Sequence, residues 1–441
     1  MVDAVSPSAK GRAAILPVTV TATVARRYLL GRQGLWPGRR WLGKPGADAA
    51  IRALESLQMD TVAVVARSHE LALFSRVNQY QPADLDELLY TDRAFFDYGG
   101  HLDVYPSVEL PYWRLHMRRR LESPRESHYR DSNRALLRRV LETVTEQGPL
   151  RASDVRWATP TPTRWRSATD VSQALYHLWI TGDLMTHSRV NFRRTFDLAT
   201  RIAAPEQLRP ATANQAQRFF AGKALRRYGL AGVSSWRGSM FYFLHTSSPK
   251  ETWRTWLDEL VDTGAAAWVQ VEGVKRPYLM PAEDLPLLDS LARDVVPSLW
   301  TGTTSSSAEE VVLLSPLDNL LHPDRDRNLE LFDFEFVWEV YKPPAQRRWG
   351  AYTMPVLYQD QLVARLEPRL DRKHASLEVL KMWFEDAPGA ADPGLLSALA
   401  TGLVRLAQFH QARTLDFREL RPLRLRQSLR RDVRLAGFEA L

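Results

Sequence analysis

The chain is 441 residues long, 45% hydrophobic and 25% charged, with a formal net charge of +8 and a pI near 9.6. That length exceeds one compact core and suits about two to four domains, and no stretch nears the roughly 18–20 uninterrupted apolar residues of a membrane span. There is no cysteine, which excludes disulfides, thiolate catalysis and cysteine-ligated metal centres; Ser6, Ser8 and Lys10 break any secretory-signal pattern, so a cytoplasmic location is expected.

Arginine carries most of the positive excess, often in pairs such as Arg26–Arg27, Arg39–Arg40, Arg193–Arg194 and Arg347–Arg348. A guanidinium suits bidentate phosphate contact. The balance fits a nucleic-acid partner, but solvated faces and salt bridges explain the charge equally well.

In chain order, residues 1–15 read as a flexible lead and Thr19–Leu30 as a helix with Val20, Val24 and Tyr28 on one face. The turn-rich stretch Gly31–Gly46 holds Trp36 and Trp41 between arginines, either as anchors of a loop or as nucleic-acid contacts. Asp48–Leu57 reads as a short helix, Gln58–Val62 as a strand or extended turn, and Val65–Phe74 as helical. Pro82, Ala83 and Asp84 open a helix that is acidic in its first turn, as the helix dipole favours. Phe95–Pro106 is aromatic and carries glycines.

Arg114–Gly148 reads as one helical region broken at Ser123-Pro124. A helix over 168–181 ends at Gly182, and two alternating basic runs follow over 183–198. Helices followed by a two-stranded basic tip make the winged-helix pattern, with 168–181 as recognition helix and 183–198 as wing. The order returns downstream: Asn214–Tyr228, LAGVSSW, Lys250–Gly264, then two strands around Glu272-Gly273. Residues 302–310 have linker composition. Beyond them VVLLSPLDNLL, FEFVWEVYKP and the runs to HASLEVLKMWFE alternate and are rich in β-branched and aromatic residues, which predicts a small curled or barrel-like sheet. Leu395–Thr414 reads as a closing helix with Leu396, Leu399, Leu403 and Leu406 as its stripe, before an Arg-rich tail.

Chemistry concentrates at Gln58, Met59 and Asp60. In extended backbone Gln58 and Asp60 share a face and Met59 turns to the other. Two readings stand. Structurally, Asp60 caps the following segment and Gln58 satisfies a backbone group. Functionally, a carboxylate and an amide flank a reacting sugar carbon: glycoside hydrolysis passes through an oxocarbenium-like state that a carboxylate stabilises, while an amide orients water. There is no GxSxG, GxGxxG or Walker A motif, and the ten histidines show no HExxH, so neither a cofactor nor a metal is expected. In LSPLDNLLHPDRDR, Asp318 and Asn319 suit a turn, while Arg325 and Arg327 either pair with carboxylates or contact DNA. Arg347, Arg348, Arg372 and Lys373 divide evenly between solvated sheet edges and phosphate contacts.

Two long segments, LESLQMDTVAVVARSHELALFSRVNQYQPADLDELL and LSPLDNLLHPDRDRNLELFDFEFVWEVYKPPAQRRWGAYTMPVLYQDQLVARLEPRLDRK, resemble the bacterial YcaQ/AlkZ-like winged-helix DNA glycosylases, and the order of units fits over nearly all of 17–415. The resemblance implies an α+β fold with three tandem winged-helix domains and a small β-barrel, C-shaped around a cleft. The units would be 16–125 with the motif, 126–205, 206–300, a barrel over 308–386 and a helix with basic tail over 390–441. It further implies a monofunctional glycosylase for alkylated purines, in some members one that unhooks interstrand crosslinks. The family's Q-Φ-Q or Q-Φ-D/E motif falls on Gln58, Met59 and Asp60, which places the chain nearer the YcaQ-like branch. Gln58 and Asp60 are then the catalytic residues. Arg67, Ser68, His69, Arg76, Arg193, Arg194, Arg325, Arg327, Arg347, Arg348, Arg372 and Lys373 are the candidate DNA contacts. The expected partner is double-stranded DNA with alkylated or crosslinked bases, bound by a bacterial, cytoplasmic monomer without membrane association. The competing readings are a non-catalytic winged-helix regulator and, third, an RNA- or nucleotide-processing hydrolase.

Overall fold

The β-branched run Val18–Val20 forms a strand, and the first helix starts only at Ala22, capped by the Thr21 hydroxyl, which accepts from the Val24 N–H at 3.3 Å. The expected helical start at Thr19 is therefore corrected. The strand lies parallel to Ala266–Val271, with Val20 opposite Val271, so the beginning of the chain extends a hairpin far along it. The structure, a computed structural model, describes residues 17–155, 170–246, 250–301, 305–321, 324–386 and 392–441. The expected flexible lead over 1–15 lies outside them.

Helix Gly43–Leu54 ends where Glu55 takes a left-handed conformation (φ 63°), which turns the chain into the short strand Leu57–Gln58. This strand pairs antiparallel with Asp103–Pro106, which pairs in turn with Phe95–Tyr98. The glycine-bearing aromatic stretch is thus a hairpin, turning at Gly99 (φ 91°). Helix Ser68–Phe74 follows the motif.

The helical region breaks at Ser123-Pro124 as expected and again at Asn133, giving Leu110–Leu121, Pro124–Ser132 and Arg134–Gln147. Helix Asp170–Thr181 stops at Gly182 (φ 90°) and leads into the hairpin Leu184–Val190 with Arg193–Leu198. Helices Ala213–Tyr228, Val233–Leu244 and Lys250–Asp262 then precede the hairpin Ala266–Val271 with Tyr278–Pro281. Residues 305–310 are tied down: Ser305 Oγ accepts from Arg39 N–H, the Ser307 N–H donates to Pro37 O, and buried Glu310 pairs with buried Arg39.

The C-terminal sheet has six strands in the order Val312–Leu313, Met354–Tyr358, Gln361–Asp371, Ser376–Phe384, Thr414–Asp416, Glu439–Ala440. Among the described residues its end strands do not pair, so the curled, barrel-like sheet expected is an open half-barrel. Helix Pro393–Phe409 covers it, burying Leu395, Leu396, Leu399, Leu403 and Leu406. The Phe334–Trp338 run joins no strand; Phe334 and Phe336 are buried and Glu335 is exposed, so the alternation is of side chains without a ladder. The Arg-rich tail is helix Leu423–Leu435, with Leu425, Leu429 and Val433 at helical spacing packed inward. One apolar core joins the motif segment (Leu57, Met59, Val65) to the half-barrel (Leu313, Met354, Leu366) and its covering helix (Leu399). Among the described residues no helix is long and apolar enough to cross a membrane.

Candidate functional site

Gln58 sits in the strand opposite Asp103, and Asp60 lies just past the strand's end. Between them Met59 is buried in the shared core, and its N–H donates to Leu102 O at 2.8 Å. A rigid apolar anchor therefore holds two polar side chains that both keep some solvent contact. Asp60 Oδ1 accepts from the Val62 N–H at 2.6 Å, a local turn that is the structural role foreseen for it and that also fixes the carboxylate. The Gln58 amide makes no hydrogen bond to any described residue, so the backbone-satisfying role foreseen for it is absent.

The motif is clamped on both sides by adjacent residues of one turn. Asn319 Nδ2 donates to Leu54 O (3.2 Å) and Ser56 O (2.7 Å) ahead of it. Asp318 accepts two hydrogen bonds from Arg76, beyond it, and one from the Leu320 N–H within the turn (2.9 Å). Asn319 and Asp318 do stabilise a turn, and that turn braces the motif.

Sequence patterns gave no sign of Tyr352. It is buried and donates to Ala66 O at 3.3 Å. Burial, with the Asp60 and Glu70 charges adding, raises its phenol well above the ordinary range, so it stays a protonated donor beside the motif. Nor did the sequence single out the contact of the Leu184–Leu198 hairpin with the site. The tip residue Phe192 (φ 66°) stacks on His69, ring centroids 5.8 Å apart, and lies under the guanidinia of Arg67 and Arg189 at 5.1 and 4.8 Å. Arg189 in turn pairs with buried Asp97. Burial first, then Arg67 and Arg189, pushes the His69 pKa down to about 3.

Four candidate DNA contacts are buried and do not face solvent. Arg76 is fully buried and spends its donors on Asp318, Gln33, Ala72 O and Ser75. Arg327 is likewise buried and donates to Tyr228 O and Leu320 O. Ser68 and His69 belong to the core. Guanidinia held out of solvent with both terminal NH₂ groups engaged cannot grip phosphate; in these two arginines the fork serves as an internal staple. Arg194 is largely covered, 4.0 Å over Trp179 and 3.8 Å from Asp97. Arg67 is half-buried and pairs with Glu70. Arg347 donates to Lys342 O, and Arg372, though exposed, donates to Val65 O at the motif segment. Arg193, Arg325, Arg348 and Lys373 are exposed. The loop tryptophans act as anchors: Trp36 meets Trp300 edge-on, and Arg40 lies 4.4 Å over Trp41.

A family model described as DNA glycosylase AlkZ-like matches residues 51–409. Among solved structures, the Streptomyces sahachiroi DNA glycosylase AlkZ superposes with a TM-score of 0.56 at 16% identity, covering 89% of this chain and 98% of its own. The likeness of structure is one of fold. The family match takes in the motif, its clamp and nearly the whole half-barrel, and on that extent the chain belongs to the AlkZ-like DNA glycosylase family.

Proposed function

We propose that the protein is a monofunctional DNA glycosylase that hydrolyses the N-glycosidic bond of N3- and N7-alkylated purines in duplex DNA, and that its substrates extend to interstrand crosslinks. Alkylation at those nitrogens makes the purine cationic and a good leaving group, so the enzyme supplies little acid. Asp60, fixed by the Val62 N–H, stabilises the oxocarbenium ion and takes the proton from water. Gln58 holds that water by accepting from it and donating to it. The motif contains no lysine to form a Schiff base, so no lyase step follows.

One observation carries this reading. Beside a braced carboxylate stands an amide with no internal partner, both in contact with solvent and both anchored through Met59. Amides placed for structure are usually engaged. Three winged-helix units and the half-barrel would then form a C-shaped basic surface that holds duplex backbone without reading sequence, in a monomer. A bulky crosslinked base does not enter a tight pocket, so an open cleft suits it.

The test is release of 7-methylguanine from duplex DNA by the wild type and by Asp60→Asn. Wild type should release the base, and the variant should be slower by about 10²-fold or more at similar DNA affinity. No release by wild type, or equal rates, would sink the proposal. Strong sequence preference on undamaged DNA would favour a regulator.

A further inference from the structure

Directly across the ladder from Gln58 stands Asp103. Residues opposed in an antiparallel pair project to the same face, with Cβ atoms about 4.5–5.5 Å apart. Asp103 is 2% exposed, and its Oδ1 is buried without a hydrogen-bond partner. An unsatisfied buried carboxylate oxygen is costly and calls for an explanation. The charge facing it is the partly buried guanidinium of Arg227, from helix Ala213–Tyr228, whose buried Nε also lacks a partner. Tyr105 and Tyr242 complete the surround. The chain thus carries a desolvated, charge-balanced carboxylate next to an amide that has no partner of its own.

We propose that Asp103 is a positioning residue for Gln58: its carboxylate accepts from the Gln58 side-chain N–H and turns the amide oxygen toward the attacking water. A free amide is nearly symmetric and can rotate, presenting either N–H or C=O to the water. An anionic acceptor on one side removes that choice, because only the NH₂ end can face it. Arg227 faces that acceptor with the opposite charge, so the pair is balanced inside the fold. This inference rests on the water-holding role given to Gln58 above.

The experiment is a double-mutant cycle on single-turnover 7-methylguanine release, with DNA affinity and melting midpoint measured for each variant. Asp103→Leu alone strands Arg227, so the principal variant is Asp103→Leu/Arg227→Met, which removes both charges together. It should bind DNA within about twofold of wild type while release falls about tenfold or more. Asp103→Asn, which keeps an acceptor, should recover part of the rate. In a Gln58→Ala background the Asp103 and Arg227 changes should slow release no further. If the two losses multiply, or if the charge-free variant matches wild type, positioning is overturned while the Gln58 role stands. If Gln58→Ala itself releases base at the wild-type rate, the Gln58 role falls and this inference falls with it.

Discussion

Arg76 and Asp318 form a bidentate ion pair, two hydrogen bonds of 2.7 Å between side chains with no solvent exposure. The pair ties the segment after the motif to the turn that leads toward the half-barrel. Breaking a buried pair strands the other charge, so Arg76→Ala should cost about 3–5 kcal/mol of stability. Arg76→Met/Asp318→Leu should recover much of that loss. Denaturant unfolding measures both, and a single variant as stable as wild type would refute the burial argument.

Asn319 braces the other flank, through Leu54 O and Ser56 O. Asn319→Ala leaves both carbonyls short of a donor and should cost about 1–3 kcal/mol. Because Ser56 lies two residues before Gln58, base release should slow more than DNA binding weakens. A change in affinity alone would argue against a bracing role.

The exposed cations Arg193, Arg325 and Lys373, and Arg348 through its exposed pair with Glu335 (3.4 Å), are the candidates that remain for the DNA backbone. For each one that contacts a phosphate, substitution by Ala should reduce the slope of log K against log salt by about 0.9. Binding titrations over a salt series give the slope. Residues that leave it unchanged do not meet phosphate.

Burial holds His69 and His116 near pKa 3 and His410 near 4. Each is neutral in the folded chain at pH 7, whereas the unfolded chain takes up a proton on each as pH falls through about 6.5. Between about pH 6.5 and 4 the unfolded state binds more protons, so stability falls with pH by up to about 1.4 kcal/mol per unit for each histidine. Above that window the contribution is complete and flat. Thermal melts between pH 7.5 and 5 should show this loss. His69→Phe keeps the stack on Phe192 and removes one titrating group, so it should flatten the acid limb; an unchanged slope would contradict the assignment.

Tyr352→Phe removes a hydroxyl that donates to Ala66 O and feels the Asp60 charge. The expected cost is about 1 kcal/mol in stability. Base release should slow at unchanged DNA affinity, and single-turnover assays beside binding titrations separate the two.

By itself the sequence determined the periodic elements. Strong helical spacing located Asp170–Thr181, Ala213–Tyr228 and Pro393–Phe409, because apolar stripes and glycine stops are local properties of the chain. It also located Gln58, Met59 and Asp60 and the anchor role of Met59, since alternation in extended backbone is likewise local. What tertiary structure decided was which polar groups are already spent. Arg76 and Arg327 look like Arg193 and Lys373 in the sequence, yet distant partners, Asp318 for the first and the Tyr228 and Leu320 carbonyls for the second, fill their donors and take them out of solvent. Asp103 came to face Gln58 only when two remote strands paired. A guanidinium or carboxylate is chemically the same at the surface and in the core. Its partner, contributed from far along the chain, decides whether it builds the fold or stands ready for the substrate.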